Sequence, residues 1–158
     1  MSDSTSDLCD RFGDEVRVAA PIFADFGGRL SFQGQIVTVK VYEDNVLVRA
    51  ELETAGQGRV LVIDGGGSLR CALVGDQVGG LARANGWAGL VIYGCVRDTS
   101  ALKTMDLGIK ALAACPRKSA KKGWGEREIP LTFAGQTFRP GEWLAADSDG
   151  IVVSAAPF

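Results

Sequence analysis

The sequence predicts an α/β fold, one domain over residues 1–158 with a central β-α-β unit and mostly antiparallel strands in its C-terminal third. Three observations carry this. Two continuous apolar runs, "VLVI" (60–63) and "WAGLVIYG" (87–94), have the pattern of strands buried on both faces. Between them, the stretch from Gly75-Asp76 to Gly86 reads as a helix. Strand, helix and strand in that order make parallel neighbours joined by a right-handed crossover. From Glu128 onward, strand-like runs alternate with Ala-Gly, Pro-Gly and Asp-Gly turns, the pattern of antiparallel β-structure.

The elements follow in order. Thr5 to Phe12 predicts a short helix opened by a Ser/Thr cap, with Leu8 and Phe12 on one face at i, i+4. In "FGGRLSFQGQIVTVKVY", Ile36, Thr38 and Lys40 alternate with Val37, Val39 and Val41, which predicts a strand with one buried face. "EDNVLVRAELETAG" predicts an amphipathic helix capped by Asp44 or Asn45, carrying Val46, Ala50 and Leu52 and stopping at Gly56. Leu107 to Cys115 is expected to form short strand pieces, and "PRKSAKKGWGER" (116–127) a basic surface loop rather than a nucleic-acid patch. No internal repeat or domain linker interrupts the chain.

Composition narrows the function. Apolar residues at 46% and charged residues at 23% are near the globular average, so disorder and fibrous repeats are excluded. A net charge of −2 argues against a general electrostatic grip on nucleic acid. The start, "MSDSTSDLCD", lacks the charge and apolar pattern of a leader, and no apolar run approaches the roughly 20 residues of a membrane span. A cytoplasmic protein with no membrane contact is expected. Four widely spaced cysteines, Cys9, Cys71, Cys95 and Cys115, contain no C-x-x-C pair and are expected to be reduced and mostly buried. There is no histidine, which removes Ser-His-Asp, Cys-His and His-zinc mechanisms together.

Two places then stand out. Ligands of open α/β sheets sit beyond the carboxyl ends of the parallel strands. Gly75, Asp76, Gln77 and Val78 form the predicted helix start, whose N–H groups have no partner within the helix and cradle an anion. Arg97 and Asp98 follow the second buried strand. The planar fork of Arg97 suits the carboxylate of a small 2-oxo acid, and Asp98 offers a hard oxygen for Mg²⁺ or Mn²⁺. A surface ion pair or turn accounts for the same two residues equally well. Elsewhere, "DGGGSLR" has Arg70 where a dinucleotide fingerprint needs glycine. Lys40 is the one Schiff-base candidate, against the plainer reading of a solvent-facing strand lysine, and Trp87, Trp124 and Trp143 read as core or interface.

Taken together, "DLCD", "FGGRLSFQGQIVTVK", "EDN", "VLVIDGGGSLRCALVGD", "GWAGLVIYGCVRD", "DLGIKAL" and "TFRPGEWLAADSDGIVVS" span nearly the whole chain. They resemble the family that holds the regulator of ribonuclease activity A and the divalent-metal 4-hydroxy-4-methyl-2-oxoglutarate aldolases. The resemblance implies a swivelling β/β/α-type domain assembled as a homotrimer with sites at subunit clefts. It implies that Gly75 to Val78 and Arg97 bind a pyruvate-like substrate and that Asp98 holds the metal. The implied reaction is cleavage of 4-hydroxy-4-methyl-2-oxoglutarate to two pyruvates, with oxaloacetate decarboxylation through the same pyruvate enolate. Arg97 and Asp76 are the catalytic candidates; the base is Asp76, a metal-activated water, or a carboxylate such as Glu126 from a neighbouring subunit. The alternative is a non-catalytic regulator that binds and inhibits an RNA-processing endonuclease. Asp98 favours the enzyme, because regulators can lack it. Ala101 departs from the acidic residue many aldolases carry there, which bears on the fit of the larger substrate.

Overall fold

The run of apolar residues at the middle of the chain makes a sheet that must be covered on both faces, and the rest of the architecture does this. The structure, a computed structural model, describes residues 3–158; Met1 and Ser2, at the head of the stretch in which no leader is expected, lie outside the described residues. Helix α1 (Thr5–Phe12) forms where its pattern predicts. Ser4 Oγ accepts the Asp7 N–H at 3.1 Å while the Asp7 carboxylate accepts the Ser4 N–H, a reciprocal capping box. There follow β1 (Val16–Val18), β2 (Ala24–Asp25), β3 (Phe32–Lys40), α2 (Val46–Leu52), β4 (Val60–Asp64), β5 (Ala72–Val74) and α3 (Asp76–Ala84). Then come β6 (Gly89–Val96), α4 (Thr99–Leu102), β7 (Gly108–Ala114), β8 (Glu126–Arg127), β9 (Leu131–Phe133), β10 (Gln136–Phe138), β11 (Trp143–Asp147) and β12 (Gly150–Ser154).

Strand β3 joins two kinds of sheet. Its first half, Phe32 to Gln35, pairs antiparallel with β11, which continues through β12 to β1. Its second half, Ile36 to Lys40, pairs parallel with β4, followed by β6 and β7, and β2 closes that edge antiparallel. The expected β-α-β unit is present as β4, α3 and β6, with β4 and β6 parallel neighbours. A short strand that the sequence did not suggest, β5, pairs with the far end of β6 just before α3.

The alternation of side chains explains the layers. Val37, Val39, Leu61, Ile63, Leu90 and Ile92 face one core with Val48 and Leu52 of α2 and Val78 and Ala82 of α3. Ile36, Val60, Val62 and Val91 face the other, with Leu144, Ala146, Ile151 and Val153 of the antiparallel strands. Successive residues therefore enter opposite cores, which is why these strands read as unbroken apolar runs. The order is antiparallel sheet, parallel sheet, helices: an α/β fold of β/β/α type. Helix α1 lies on the outer side of the antiparallel strands, with Leu8 against Ala145 and Val152.

Four local expectations are corrected. The β3 segment is buried on both faces from Ile36 to Val39, because its neighbours cover it from both sides; of the residues from Ile36 to Val41 only Lys40 is exposed. Helix α2 ends at Leu52, short of Gly56, and the residues it buries are Val48 and Leu52 rather than Val46 and Ala50. Residues 108–114 form one continuous strand, held as a piece by parallel pairing to β6 that no local signal announces. The cysteines are all free, as expected, but only Cys71 and Cys95 are buried; Cys9 and Cys115 are half-buried.

The double burial sets a stability test. Leu90 is fully buried in the core beneath the helices. Leu90→Ala should cost about 2–5 kcal/mol, whereas Lys40→Ala, at the exposed end of β3, should stay within about 0.5 kcal/mol of the parent. Urea unfolding midpoints measure both.

Candidate active site

At the carboxyl ends of β5 and β6 two turns meet. The Arg97 N–H bonds the Val74 carbonyl at 2.9 Å, so the residues after the two strands are side by side. Gly75 is the N-cap of α3 and has no side chain with which to cap it. The cap comes from across the sheet: the Asp76 N–H donates to Asp98 Oδ2 at 3.0 Å. Glycine is required here by proximity, since a Cβ at position 75 would lie 2.6 Å from Asp98 Oδ2 and 3.2 Å from Arg97 Cγ. Asp98 itself has φ 57°, a left-handed conformation that a non-glycine residue adopts at a cost of order 1 kcal/mol.

The charge of Asp98 is set locally. The hydrogen bond from the Asp76 N–H holds its carboxyl below the usual carboxylate range; partial burial opposes this, and the Asp76 side chain and the Arg97 guanidinium add to it. A cavity of about 130 Å³ opens over this junction. All six residues expected from the sequence, Gly75, Asp76, Gln77, Val78, Arg97 and Asp98, line it.

The structure adds residues that the sequence reading missed. Asn45, buried, donates from Nδ2 to the Leu73 carbonyl at 3.1 Å and accepts the Lys121 ammonium on Oδ1 at 3.0 Å. Arg49, Lys118, Ser119 and Lys121 complete the wall. The basic run 116–127 is thus not simply a solvated loop. The Ala120 N–H bonds the Glu43 carbonyl at 2.8 Å, Ser119 is buried, and β8 pairs with the end of β3. The fastener is Asp44, also buried, whose Oδ1 accepts the Val46 N–H at 3.1 Å and whose Oδ2 accepts the N–H groups of Lys122 and Gly123 at 2.7 and 3.0 Å. Burial would raise the Asp44 carboxyl, but donors from Val46, Lys122, Gly123 and Trp124 outweigh it and hold the group below its ordinary value. Asp44, then, is the side chain that caps α2; Asn45 makes no capping bond.

Other candidates fall away from the cavity. Lys40 is exposed beside β8 and keeps its water, so nothing there desolvates an amine for Schiff-base chemistry. Glu126, its β8 neighbour, is exposed and does not line the cavity of its own chain. The glycines after β4 are occupied by packing: added Cβ atoms would lie 2.6 Å from Leu73 at Gly65, 2.6 Å from Tyr42 at Gly66 and 3.0 Å from Tyr93 at Gly67. The N–H groups of Gly65 and Gly67 go to the Tyr93 carbonyl and that of Gly66 to the Asp64 carboxylate, so none of the three is left to cradle a phosphate. Trp87 is buried and donates to the Thr54 carbonyl, Trp143 is half-buried, and Trp124 is exposed beneath the Lys122 ammonium. Ala101 lies on α4, outside the cavity wall.

A family model described as RraA-like, Aldolase/RraA, matches residues 5–153. The chain belongs to this family. A relative from Alkalilimnicola ehrlichii, named provisionally as a 4-hydroxy-4-methyl-2-oxoglutarate aldolase, is 60% identical over 154 residues, covering 98% of this chain and 96% of its own. The structure of the RNA-processing inhibitor RraA from Thermus thermophilus superposes with a TM-score of 0.96 at 46% identity, covering 100% of this chain and 96% of that one. A Geobacillus kaustophilus structure named as an S-adenosylmethionine:2-dimethylmenaquinone methyltransferase gives 0.97 at 46% identity, covering 99% and 97%. The family's fold is therefore the one described above, and no helix of the described residues is long and apolar enough to cross a membrane.

In chemical terms the cavity presents backbone N–H groups of a helix start, four cationic side chains (Arg49, Arg97, Lys118 and Lys121) and two carboxylates, Asp76 and Asp98. It suits a small anion with an adjacent polarisable oxygen. The wall depends on Asp44, and its depressed carboxyl gives that dependence a pH signature. A group whose folded pKa lies below its unfolded value, about 3.9 for aspartate, stabilises the fold above that value and loses the contribution as pH falls through the folded pKa. Asp44→Asn should lower stability at pH 7, with the gap to the parent narrowing below about pH 4; urea unfolding at pH 7 and pH 3 measures it. A gap that is the same at both pH values is the contrary outcome.

Proposed function

We propose that this protein is a carbon–carbon lyase that cleaves 4-hydroxy-4-methyl-2-oxoglutarate to two pyruvates and decarboxylates oxaloacetate, both through a pyruvate enolate. The observation that carries the reading is the convergence of the Arg97 guanidinium, the first turn of α3 and the Asp98 carboxylate on one small polar cavity. The names of the 55–60% identical relatives, provisional 4-hydroxy-4-methyl-2-oxoglutarate aldolases, point to the same chemistry. The proposed assembly is a homotrimer.

Arg97 binds the substrate carboxylate through its fork, and the Gln77 and Val78 N–H groups, without partners inside the helix, receive it from the other side. Asn45 and Lys121 lie on the same wall, positioned to orient the 2-oxo end. Asp76, exposed at the mouth, or a water it orients takes the proton of the C4 hydroxyl. The C3–C4 bond then breaks, its electron pair moves onto the 2-oxo oxygen as the enolate forms, and the other half leaves as pyruvate. Protonation of the enolate at C3 gives the second pyruvate. Decarboxylation forms the same enolate without that base.

Nowhere among the described residues do three or more Cys, Asp or Glu side chains converge as a metal site, and the carboxylates that line the cavity are Asp98 and Asp76. That donor set fits Mg²⁺ or Mn²⁺, which keep several waters and accept one or two carboxylates. Asp98 would hold it, and the chemistry it supplies is Lewis-acid polarisation of the 2-oxo group.

The likeness to the Thermus inhibitor favours a second reading, a protein that binds and inhibits an RNA-processing endonuclease without metal or substrate. Pyruvate release, followed by a coupled dehydrogenase, separates the two. The lyase releases pyruvate with Mg²⁺ or Mn²⁺ and stops with EDTA; no release with either metal overturns the reading. Arg97→Lys should lower turnover on the order of 10²–10³. Asp76→Ala should abolish aldol cleavage while sparing oxaloacetate decarboxylation, and equal loss of both would remove Asp76 from the role of base.

A further inference from the structure

The pyruvate-binding groups leave two cations of the cavity wall without a task. Arg49 projects from α2, and its one ion-pair partner among the described residues is Glu53, 3.5 Å away and more than half exposed. An exposed i, i+4 pair of this kind is worth little. Lys118 has no ion pair among the described residues. Lys121, by contrast, is engaged with Asn45, and Arg70 nearby is fully committed to Glu43 through two bonds of 2.6 Å. The Glu43 carboxyl is drawn down to about 2 by Arg70 and Ser68.

Lys118 has a second property. It lines both the cavity over Asp98 and a wider neighbouring one of about 350 Å³, whose wall also carries Arg117. The backbone holds it there: the Ala72 N–H bonds the Arg117 carbonyl at 2.7 Å, and Ala72 bridges to Lys118. Lys118 therefore stands where the two cavities share a wall, within reach of the far end of a substrate that extends from one toward the other. A monocarboxylate such as pyruvate has nothing to place there. Four cations line the cavity against two carboxylates, and a divalent cation held by Asp98 would offset those two, so the wall is unbalanced for a monoanion and better matched by a dianion.

We infer that Arg49 and Lys118 form a second carboxylate subsite, which selects 2-oxo acids carrying a distal carboxylate over pyruvate-like monoacids. The inference rests on the lyase reading for the placement of the 2-oxo end at Arg97. It goes further by assigning specificity to two residues outside the reacting centre. Arg49 supplies a fork for the distal carboxylate and Lys118 a point charge at the rim.

Titration calorimetry in the presence of Mg²⁺ tests this with two non-cleavable ligands, pyruvate and 2-oxoglutarate, on the parent, Arg49→Gln, Lys118→Gln and the double variant. The parent should bind 2-oxoglutarate about tenfold more tightly than pyruvate, the scale of two partly exposed charge contacts acting together. Each single variant should lose about threefold of that preference and the double variant all of it, with pyruvate affinity unchanged. Equal affinities in the parent, no binding of 2-oxoglutarate, no effect of the substitutions, or a uniform weakening of both ligands would each overturn the subsite. Failure of the lyase reading has a different mark: the binding preference would stand while the coupled assay detects no pyruvate.

Discussion

The site hangs on one hydrogen bond, from the Asp76 N–H to Asp98 Oδ2. A helix start needs acceptors for its first N–H groups, and Gly75 provides none. The acceptor comes from the residue that ends the neighbouring βα turn, so the start of α3 and the exit of β6 fix each other. The bond needs close approach, which excludes a side chain at position 75, and a left-handed Asp98, which bends the chain into α4. Arg97 is carried along, because its N–H continues the ladder to Val74 while its side chain stands over Gly75. An anion-accepting helix turn, a guanidinium and a carboxylate are thereby brought together by backbone geometry before any ligand arrives.

A second carboxylate builds the opposite wall by a different means. Asp44 gathers N–H groups from α2 and from residues 122 and 123, fastening a polar loop that has little apolar surface to bury. The two aspartates resemble each other in physics, each a carboxylate held ionised by backbone donors. They differ in consequence. Asp98 faces the cavity and keeps its charge available there, whereas the charge of Asp44 is used inside the structure to fasten residues 122 and 123 beside Lys121. Stability and site geometry are linked through Asp44, and through Asp98 they are linked to charge as well.

How much of this was legible in the sequence follows from the range of each interaction. The βαβ unit was readable because Val60–Ile63 and Leu90–Ile92 are apolar at every position, which only a doubly covered strand tolerates. The six residues of the two turns were readable because parallel strands place their exits on one side. The β3 segment misled because Thr38 and Lys40 look like a solvent face; Thr38 is buried, its hydroxyl donating to the Ile129 carbonyl at 2.7 Å. Asn45, Lys118 and Lys121 were invisible for a plainer reason. Asn45 meets Lys121 across 76 residues, and nothing in "EDN" or "KSAKK" announces the other. A basic run with two glycines has the same composition whether it is solvated or fastened by a buried aspartate.

The absence of histidine limits what chemistry this cavity can perform well. Proton transfer is most effective from a group that titrates near the working pH, and histidine is the side chain whose ordinary value lies there. Here Asp98 is held below the carboxylate range, and burial pushes the thiols of Cys71 and Cys95 up, so the first stays charged and the others stay neutral at pH 7. The resulting field is fixed. A fixed field lowers barriers dominated by growing charge, through donors already aimed at it, and helps least where a difficult proton must move. Forming the enolate of a 2-oxo acid by breaking a carbon–carbon bond is a reaction of the first kind: under the lyase reading its demanding step moves negative charge onto the 2-oxo oxygen, on a wall lined by Asn45 and Lys121, while the two proton transfers, off a hydroxyl and onto the enolate carbon, are the lighter part.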